Sequence, residues 1–314
     1  MNSLIFSLNS TIPIFLIILL GYILMRVGLF NKDLTRVMDK YVYKIALPVL
    51  LFKQVATADI YSEFDIEFVL FCMISTTIMF ILVWAGSVLL LKDKSEVGAF
   101  AQASARGSAA ILGIAFIENI YGSSGMGPLM IVSAVPLYNI YSVIILTFSA
   151  KGRTSGKGAI RQALINIAKN PIIIAILAGL IFAVVRIPLP YIPLKALSYV
   201  AQTATPLALL VVGATFEGKQ ALTKIGPTCA ATFIKLILIP LVFLPVAVYM
   251  RFRNESLVAI IVMLGSPTTV SCYIMAKNMD NDEHLSSSII VMSTLLSALT
   301  LTGWIFIMRT MGWI

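Results

Sequence analysis

The sequence predicts an all-α membrane protein with ten transmembrane helices, arranged as two inverted five-helix repeats with broken crossover helices 4 and 9. Two observations predict this fold. The first is composition. Charged residues make up 12% and apolar residues 59% of the 314 residues, and the mean hydropathy is +0.97. A soluble domain carries about 25% charged residues. The second is a pattern of proline and glycine that occurs twice along the chain.

The repeated pattern is a proline, a glycine and a second proline at constant spacing. Each residue of the second copy lies 158 positions after its counterpart, so that Pro13, Gly21 and Pro48 match Pro171, Gly179 and Pro206. Weak internal symmetry in a very apolar chain is typical of secondary transporters. Five spans, an odd number, separate the matched segments. Each copy must therefore enter the membrane in the opposite direction, which predicts an inverted repeat.

Ten apolar segments approach the length of about 20 residues that a helix needs to cross a bilayer. They lie near residues 10–30, 36–56, 66–91, 98–120, 127–149, 170–187, 197–216, 226–250, 256–277 and 285–309. The predicted domains follow from these segments. They are a first five-helix repeat at 1–150, a basic cytoplasmic linker at 151–168 and a second five-helix repeat at 169–314.

The distribution of Lys and Arg predicts the orientation. With the N-terminus outside, the cytoplasmic connections hold 15 of the 23 Lys and Arg residues, and the outer connections hold 6. The remaining two, Arg106 and Lys235, lie within spans. Because cytoplasmic loops carry an excess of Lys and Arg, this distribution favours a multi-pass plasma-membrane protein with both termini outside. The net charge of +9 is thereby explained by topology, and no nucleic-acid partner is expected.

Neither a cofactor nor an enzymatic site is expected. Cys72, Cys229 and Cys272 lie in apolar runs without the spacing of metal ligands. The segment Gly122–Gly125 matches the GxSG motif of rhomboid-type serine proteases, but a serine nucleophile needs a base within hydrogen-bond distance. His284, the only histidine, is predicted to lie in a loop on the opposite side of the membrane. A turn between spans 4 and 5 explains the motif better.

Spans 4 and 9 are the least membrane-like. Span 4 is rich in Gly, Ser and Ala around Gly107 and Gly113, and span 9 contains Pro267. Proline inside a helix removes a backbone donor, and irregular backbone at membrane depth is tolerated only where protein or a water-filled cavity satisfies it. Paired interruptions in matching positions of two halves predict a binding site, with half-helix N-termini directed at an anion. The alternative is that small residues only permit close helix packing.

Arg106 has the most specific functional interpretation. An arginine at a helix centre costs at least about 2.5–3.5 kcal/mol on insertion scales, so it should face a cavity or a partner. It would attract or bind a carboxylate. The alternatives are a pair with Glu118 or a backbone carbonyl, or a position nearer the cytoplasmic surface. Lys235 in span 8 is interpreted as structural, because its long side chain can extend toward the interface.

Several stretches are similar to one known family. They are Ala46–Phe52, Val135–Val143, Lys169–Pro171, Pro206–Ala214 and Ser293–Ser297. In this order, along nearly the whole chain, they resemble the auxin efflux carrier family of the bile/arsenite/riboflavin transporter superfamily. The resemblance implies ten helices in two inverted halves, with spans 4 and 9 broken and crossing at the substrate site. Spans 1, 2, 6 and 7 would form a scaffold that dimerises. Spans 3–5 and 8–10 would form a transport unit that moves as an elevator.

The family's substrates are organic anions, including indole-3-acetate, malate and malonate. At the span-4 crossover this chain has Ser108 and Ala115, where the family often has Asn and Pro. Beside the span-9 crossover it has Ser271 and Cys272, where Asn or Pro is frequent. These departures leave the substrate unspecified.

The predicted function is secondary transport of a small carboxylate across the lipid bilayer by a homodimer. The candidate substrate-binding residues are Arg106, Ser108, Gly113, Asn139, Asn170, Pro267, Thr268, Thr269 and Ser271, with helix breaks at Gly107, Gly113 and Pro267. Export of a monovalent anion needs no coupling ion, since one negative charge moving outward across about 100 mV is worth about 2.3 kcal/mol. The alternatives are a proton-coupled or exchange-type dicarboxylate importer and a non-transporting membrane sensor.

Overall fold

The computed structural model describes residues 2–57, 65–109, 117, 120, 121, 126–150, 157–216 and 223–314. Within these ranges the regular secondary structure is helical, and no strand is present. The helices are α1 (Asn2–Arg26), α2 (Lys32–Tyr41), α3 (Leu47–Ala56), α4 (Ile66–Leu90), α5 (Val97–Ala105), α6 (Gly127–Ser149), α7 (Lys157–Ala168), α8 (Pro171–Val185), α9 (Tyr191–Ala214), α10 (Ile225–Phe233), α11 (Ile239–Tyr249), α12 (Asn254–Gly265), α13 (Ser271–Asn278) and α14 (Glu283–Thr310). Two π-helical turns, Val42–Ala46 and Ile234–Leu238, connect α2 to α3 and α10 to α11.

Several of these helices have the length and composition of membrane spans. Among the described residues, α4, α6, α9, α14 and the continuous run Ile225–Tyr249 are long and apolar enough to cross a bilayer. Large aliphatic side chains are exposed on the outer faces, such as Leu82 at 59% and Leu90 at 83%. Water would penalise this exposure, whereas hydrocarbon would not. The predicted class, an all-α membrane protein, is confirmed.

Polar caps determine where several helices begin. Asn31, Asp65 and Asp282 each precede a helix, and each side chain accepts a hydrogen bond from a backbone N–H of the first turn. Asn170 does the same for α8, where Pro171 occupies the first helical position. Proline is favoured there because its missing N–H has no intrahelical partner in any case. The second copy of the repeated pattern therefore begins at a capped helix start.

The repeat spacing relates two close helix contacts. Helix α1 packs against α9, and α3 packs against α8. A Cβ on Gly21 would contact the backbone of Leu210, and a Cβ on Gly179 would lie 2.9 Å from the carbonyl oxygen of Phe52. Gly21 and Gly179 are 158 positions apart, and their partners Phe52 and Leu210 are 158 positions apart as well. The glycines permit the two pairs of helices to approach closely.

Helix α12 lies among other helices of a second group. Residues 257–265, which complete this helix, are all buried, and they contact α6, α11 and α14. Helices α4, α5 and α6 pack against one another on one side, and α10, α13 and α14 also contact α5. An apolar helix that is buried all round belongs at the centre of a helical assembly. This assembly contains both helix interruptions described below.

Ionic contacts join the connections at one end of the molecule. Lys224 Nζ lies 2.6 Å from both Glu96 Oε1 and Asp282 Oδ2. Burial of Lys224 lowers its pKa, but hydrogen bonds to Asp282 and Glu96 outweigh this effect and raise the pKa above its ordinary value. Five residues before Asp282, Lys277 forms a separate ion pair, with its Nζ 3.8 Å from Asp39 Oδ2. The segments before α5, α10 and α14 are thereby held together.

A second set of contacts joins the segment before α12 to the C-terminus. The backbone N–H of Asn254 donates to the carbonyl oxygen of Trp313 at 3.0 Å, and the Arg253 guanidinium lies over the Trp313 ring. Phe252 packs against Phe68 near the start of α4, with 6.0 Å between ring centroids. The connection between α11 and α12, the start of α4 and the C-terminus therefore lie at the same end.

Candidate functional site

Two interrupted helices meet inside the assembly and are joined through their main chains. Helix α5 ends at Ala105, and α12 ends at Gly265 before α13 begins at Ser271. Between these ends, Gly107 and Thr268 form an isolated antiparallel β-bridge. The N–H of Ser108 donates to the carbonyl oxygen of Pro267 at 2.8 Å. The two non-helical segments therefore satisfy part of each other's backbone hydrogen bonding.

Side chains satisfy more of the interrupted backbone. The Thr268 hydroxyl donates to the carbonyl oxygen of Ala103 at 2.7 Å, and its N–H donates to the Ser293 hydroxyl at 3.1 Å. The Gln102 amide donates to the carbonyl oxygen of Cys272 at 2.8 Å. Without water at this depth, each unpaired backbone group would cost several kcal/mol. Thr268 and Gln102 therefore stabilise the crossover by pairing its backbone groups.

The Arg106 side chain lies beside this crossover among neutral groups. It is 4% exposed, Nη2 donates to Asn139 Oδ1 at 2.7 Å, and Nη1 lies 2.8 Å from Met275 Sδ. Nε has no hydrogen-bond partner among the described residues. None of the ion pairs between described residues involves Arg106. Arg106 is thus a buried cation with no paired carboxylate in the part of the chain that the structure describes.

A small cavity of about 50 Å³ opens at the crossover. Four of the predicted binding residues line it, namely Arg106, Ser108, Thr269 and Ser271. Gly107 also lines it. The opposite wall is formed by residues of α3 and α9: Leu47, Leu50, Leu51, Gln54, Ala204, Thr205 and Ala208. The cavity therefore lies between the crossover and the two helices that contain the matched prolines Pro48 and Pro206.

The other predicted residues lie in different places. Asn139 supports Arg106 from behind, and its own amide donates to the carbonyl oxygen of Val135 at 2.8 Å. Asn170 does not line the cavity; its Oδ1 caps α8, and its Nδ2 donates to the Tyr43 hydroxyl at 2.9 Å. Pro267 and Thr268 form the crossover described above. Gly113, Glu118 and the segment 122–125 lie outside the described residues.

Sequence reasoning missed several residues at the site. Tyr138 lines the cavity, and its hydroxyl donates to the carbonyl oxygen of Met263 at 2.9 Å. Gln54 and Thr205 also line it. The repeated prolines carried a signal for Thr205, because Thr205 and Leu47 each precede one of them and both line the cavity. The expected extension of Lys235 toward the interface is wrong, since its side chain is fully buried.

Comparison with known proteins identifies the family. A family model described as a membrane transport protein matches residues 6–305, almost the whole chain. The chain belongs to this membrane transport protein family. This is the auxin efflux carrier family that the sequence resembles, so that prediction is confirmed, and the protein is a membrane transporter rather than an enzyme.

Curated relatives match this transporter along most of their length. It is 25% identical over 309 residues to the uncharacterized transporter YfdV of Escherichia coli (strain K12), covering 97% of this chain and 98% of that protein. It is also 25% identical over 307 residues to a putative malonate transporter of Rhizobium meliloti, covering 95% of each chain. An uncharacterized transporter of Methanothermobacter thermautotrophicus is 23% identical over 299 residues.

A larger groove of this transporter, about 710 Å³ in volume, lies away from the crossover. It is bounded by α4 on one side and by α10 and α11 on the other, and its lining is mostly apolar, with Lys92, Asp93 and Glu96 among the lining residues. Exposed side chains such as Leu82, Leu90 and Val242 form part of that lining. Lipid chains would fill such a groove in a bilayer. The smaller cavity has the polar groups that a specific site requires.

Gly107→Ala should destabilise the transporter by about 1–3 kcal/mol, the usual cost of overpacking a close-packed interior. The added Cβ would lie 2.5 Å from Ser266 Oγ and 3.0 Å from Lys235 Nζ. The measurement is the melting temperature of the purified protein. Gly86→Ala is the matched control, because a Cβ there meets no atom within 4 Å. Equal melting temperatures for the two variants would show that the crossover has room for a methyl group.

Proposed function

We propose that this transporter is a secondary carrier of small organic anions of the carboxylate class and that it works by alternating access. The observation that carries the proposal is the buried Arg106 guanidinium at the cavity where two broken helices meet. A buried cation that no carboxylate of the described residues pairs with is costly, and an anionic substrate would supply a charged partner. Arg also offers the planar fork of donors that matches a carboxylate.

The rest of the cavity supports an anion site. Ser108, Thr269 and Ser271 bring hydroxyl groups to the lining, and hydroxyls can donate to a carboxylate. Helix α13 begins at Ser271, and its cap position, Val270, makes no side-chain cap hydrogen bond. A helix N-terminus carries partial positive charge, so an anion placed here would be favoured. Asn139 would hold the Arg106 guanidinium in position, while the proposed substrate role of Asn170 has no contact in its favour.

The small volume of the cavity supports an alternating-access cycle. A volume of about 50 Å³ corresponds to little more than one water molecule, each of which occupies about 30 Å³ in the liquid. A small dicarboxylate needs more room. Helices α3 and α9 must therefore separate from the crossover to admit a substrate. In our proposal, α1–α3, α8 and α9 form a fixed scaffold, and α4–α6 and α10–α14 move against it as an elevator.

The contacts of the connections support ten spans in two inverted repeats, at 1–150 and 169–314 around the linker 151–168. The segments around Glu96, Lys224 and Asp282 are all predicted to be cytoplasmic, and their side chains meet in one ion cluster. Trp313 and Asn254 are both predicted to lie outside, and they are hydrogen-bonded. These contacts fit two sets of connections on opposite faces of the membrane, and the excess of Lys and Arg on one face would place both termini outside the plasma membrane. We also propose that the carrier is a homodimer, because the family resemblance implies a scaffold that dimerises.

The test is uptake by the purified protein in proteoliposomes. We expect radiolabelled malonate, or another small mono- or dicarboxylate, to accumulate in response to an imposed membrane potential or substrate gradient. The malonate assignment of a relative makes malonate the first substrate to measure. Dependence of flux on external pH at fixed voltage would identify proton-coupled import. Absence of flux for every carboxylate under every gradient would overturn the proposal, and binding without flux would indicate a sensor.

A further inference from the structure

The ammonium group of Lys235 lies between the C-terminal ends of the two interrupted helices. Nζ donates to the carbonyl oxygen of Leu264 at 2.7 Å and to that of Ala105 at 3.2 Å. Ala105 is the last residue of α5, and Leu264 is the residue before the last in α12. The side chain is fully buried, and no carboxylate of the described chain lies within ion-pair distance. The partners of this ammonium are backbone carbonyls.

Two helix C-termini provide about the charge that one ammonium requires. The carbonyls at the end of a helix carry about half a negative elementary charge, so two such ends together nearly balance Lys235. Arg106, by contrast, contacts Asn139 and Met275, which are neutral. In secondary transporters built on broken helices, half-helix C-terminal ends and unwound carbonyls are the groups that coordinate a coupling cation. The Lys235 ammonium is a cation covalently attached to the protein, and it lies among the same kind of helix C-terminal carbonyls.

Two further observations mark the same point. Ser266 Oγ is buried and has no hydrogen-bond partner among the described residues. A Cβ on Gly107 would lie 2.5 Å from this oxygen and 3.0 Å from Lys235 Nζ, so the hydroxyl and the ammonium face the same space. Lys235 also belongs to the π-helical turn Ile234–Leu238. Such turns are rare and occur frequently at functional sites.

We infer that the Lys235 ammonium is a built-in cation that occupies the position of a coupling sodium ion, so that this carrier moves its anion without binding sodium. The inference deepens the proposed function and rests on it. It assigns Lys235 to ion selectivity, while Arg106 attracts the substrate. Removal of the ammonium leaves two carbonyl oxygens and the Ser266 hydroxyl around a vacated space. Oxygen ligands of this kind suit a small hard cation.

The first experiment measures melting temperatures and requires no substrate. Wild type, Lys235→Ala and Lys235→Met are each heated in sodium chloride and in choline chloride at equal concentration. We expect Lys235→Ala to melt roughly 2–4 °C higher in sodium, as expected for a ligand that binds the folded state. Wild type should not differ between the salts, because the site is filled. Lys235→Met should not differ either, because an apolar side chain fills the space.

Methylammonium chloride extends this experiment, because it carries the group that the alanine variant lacks. It should raise the melting temperature of Lys235→Ala but not that of Lys92→Ala, which removes an exposed lysine. A Lys235→Ala protein that responds to neither cation overturns the inference. So does a wild-type protein that melts higher in sodium than in choline. If Lys235→Ala does not fold without an added cation, its recovery by methylammonium during purification supports the inference, and no recovery overturns it.

The second experiment measures carboxylate uptake by the wild type with sodium or choline outside, at equal membrane potential. Equal rates support the inference, and faster uptake in sodium overturns it. The two experiments separate the inference from the proposed function. A sodium response of Lys235→Ala without carboxylate transport would contradict the function while retaining the cation position. Carboxylate transport that sodium stimulates would retain the function and contradict the role of Lys235.

Discussion

Arg106→Ala is expected to lower carboxylate uptake by about 10- to 100-fold, because a hydrogen bond to a charged group contributes about 1.5–3 kcal/mol. The side chain lines the cavity and is paired with no carboxylate of the described chain. A substrate anion would therefore be its charged partner. The measurement is initial uptake in proteoliposomes over a range of substrate concentrations. The loss should appear as weaker apparent affinity for the anion.

Two controls separate binding from folding in this prediction. Arg36→Ala removes an exposed arginine and should leave uptake unchanged. The melting temperature of Arg106→Ala should be unchanged or higher, because the variant removes a buried charge that is costly to desolvate and that no described carboxylate pairs with. Arg106→Lys keeps the charge and should retain part of the uptake, although Lys lacks the planar fork of donors. Normal uptake by Arg106→Ala would exclude a substrate role, and a large loss of stability would assign the residue to the fold.

Gly213→Ala is expected to cause the largest loss of stability among single-methyl additions, about 1–3 kcal/mol or somewhat more. Its Cβ would meet the carbonyl oxygen of Ile18 and the backbone nitrogen of Tyr22 on α1. Backbone atoms cannot rotate away as a flexible side chain can, so α1 and α9 would have to separate. Gly21→Ala, which would contact the backbone of Leu210 at the same interface, should have a similar effect. Both are measured as melting temperatures in detergent.

A graded series controls this prediction. Gly179→Ala should cost less, because its nearest atoms lie at 2.9–3.0 Å and include the Val55 side chain. Gly303→Ala on α14 meets no atom within 4 Å, and alanine is favoured over glycine inside a helix by about 0.5–1 kcal/mol. That variant should therefore melt at the same temperature or higher. A reversed order would mean that α1 and α9 are not in close contact in the membrane.

The helices of this protein follow from hydrophobicity alone to a large extent. The predicted segment 127–149 coincides with α6 (Gly127–Ser149), and the predicted segments 66–91 and 226–250 end within one residue of observed helices. A long apolar run in lipid forms a helix, because a helix pairs its backbone hydrogen-bonding groups within the segment. The contacts between helices are different. The sequence identified Gly21 and Gly179 as equivalent positions of the repeat. It did not identify the residues on α9 and α3 that each glycine contacts.

The candidate site was less accessible to sequence reasoning. Arg106 could be singled out because a charge within a span is rare, and Pro267 because it interrupts a helix. The direction of a long side chain was not determined. Lys235 could reach the interface or the interior, and the π-helical turn that carries it has no clear sequence signal. Asn170 was ambiguous for a related reason, because the amide that could bind a substrate also suits a helix start before Pro171.

The joint between the interrupted helices consists largely of peptide groups, through Ser108 N–H to the Pro267 carbonyl and the bridge between Gly107 and Thr268. Peptide groups are the same in every residue type except proline. The side chains at 108, 269 and 271 can therefore be exchanged without opening that joint. Such an arrangement allows new cargo preferences to evolve by point replacement on a retained frame. A library randomised at these three positions should accordingly yield many folded variants with different choices of acid.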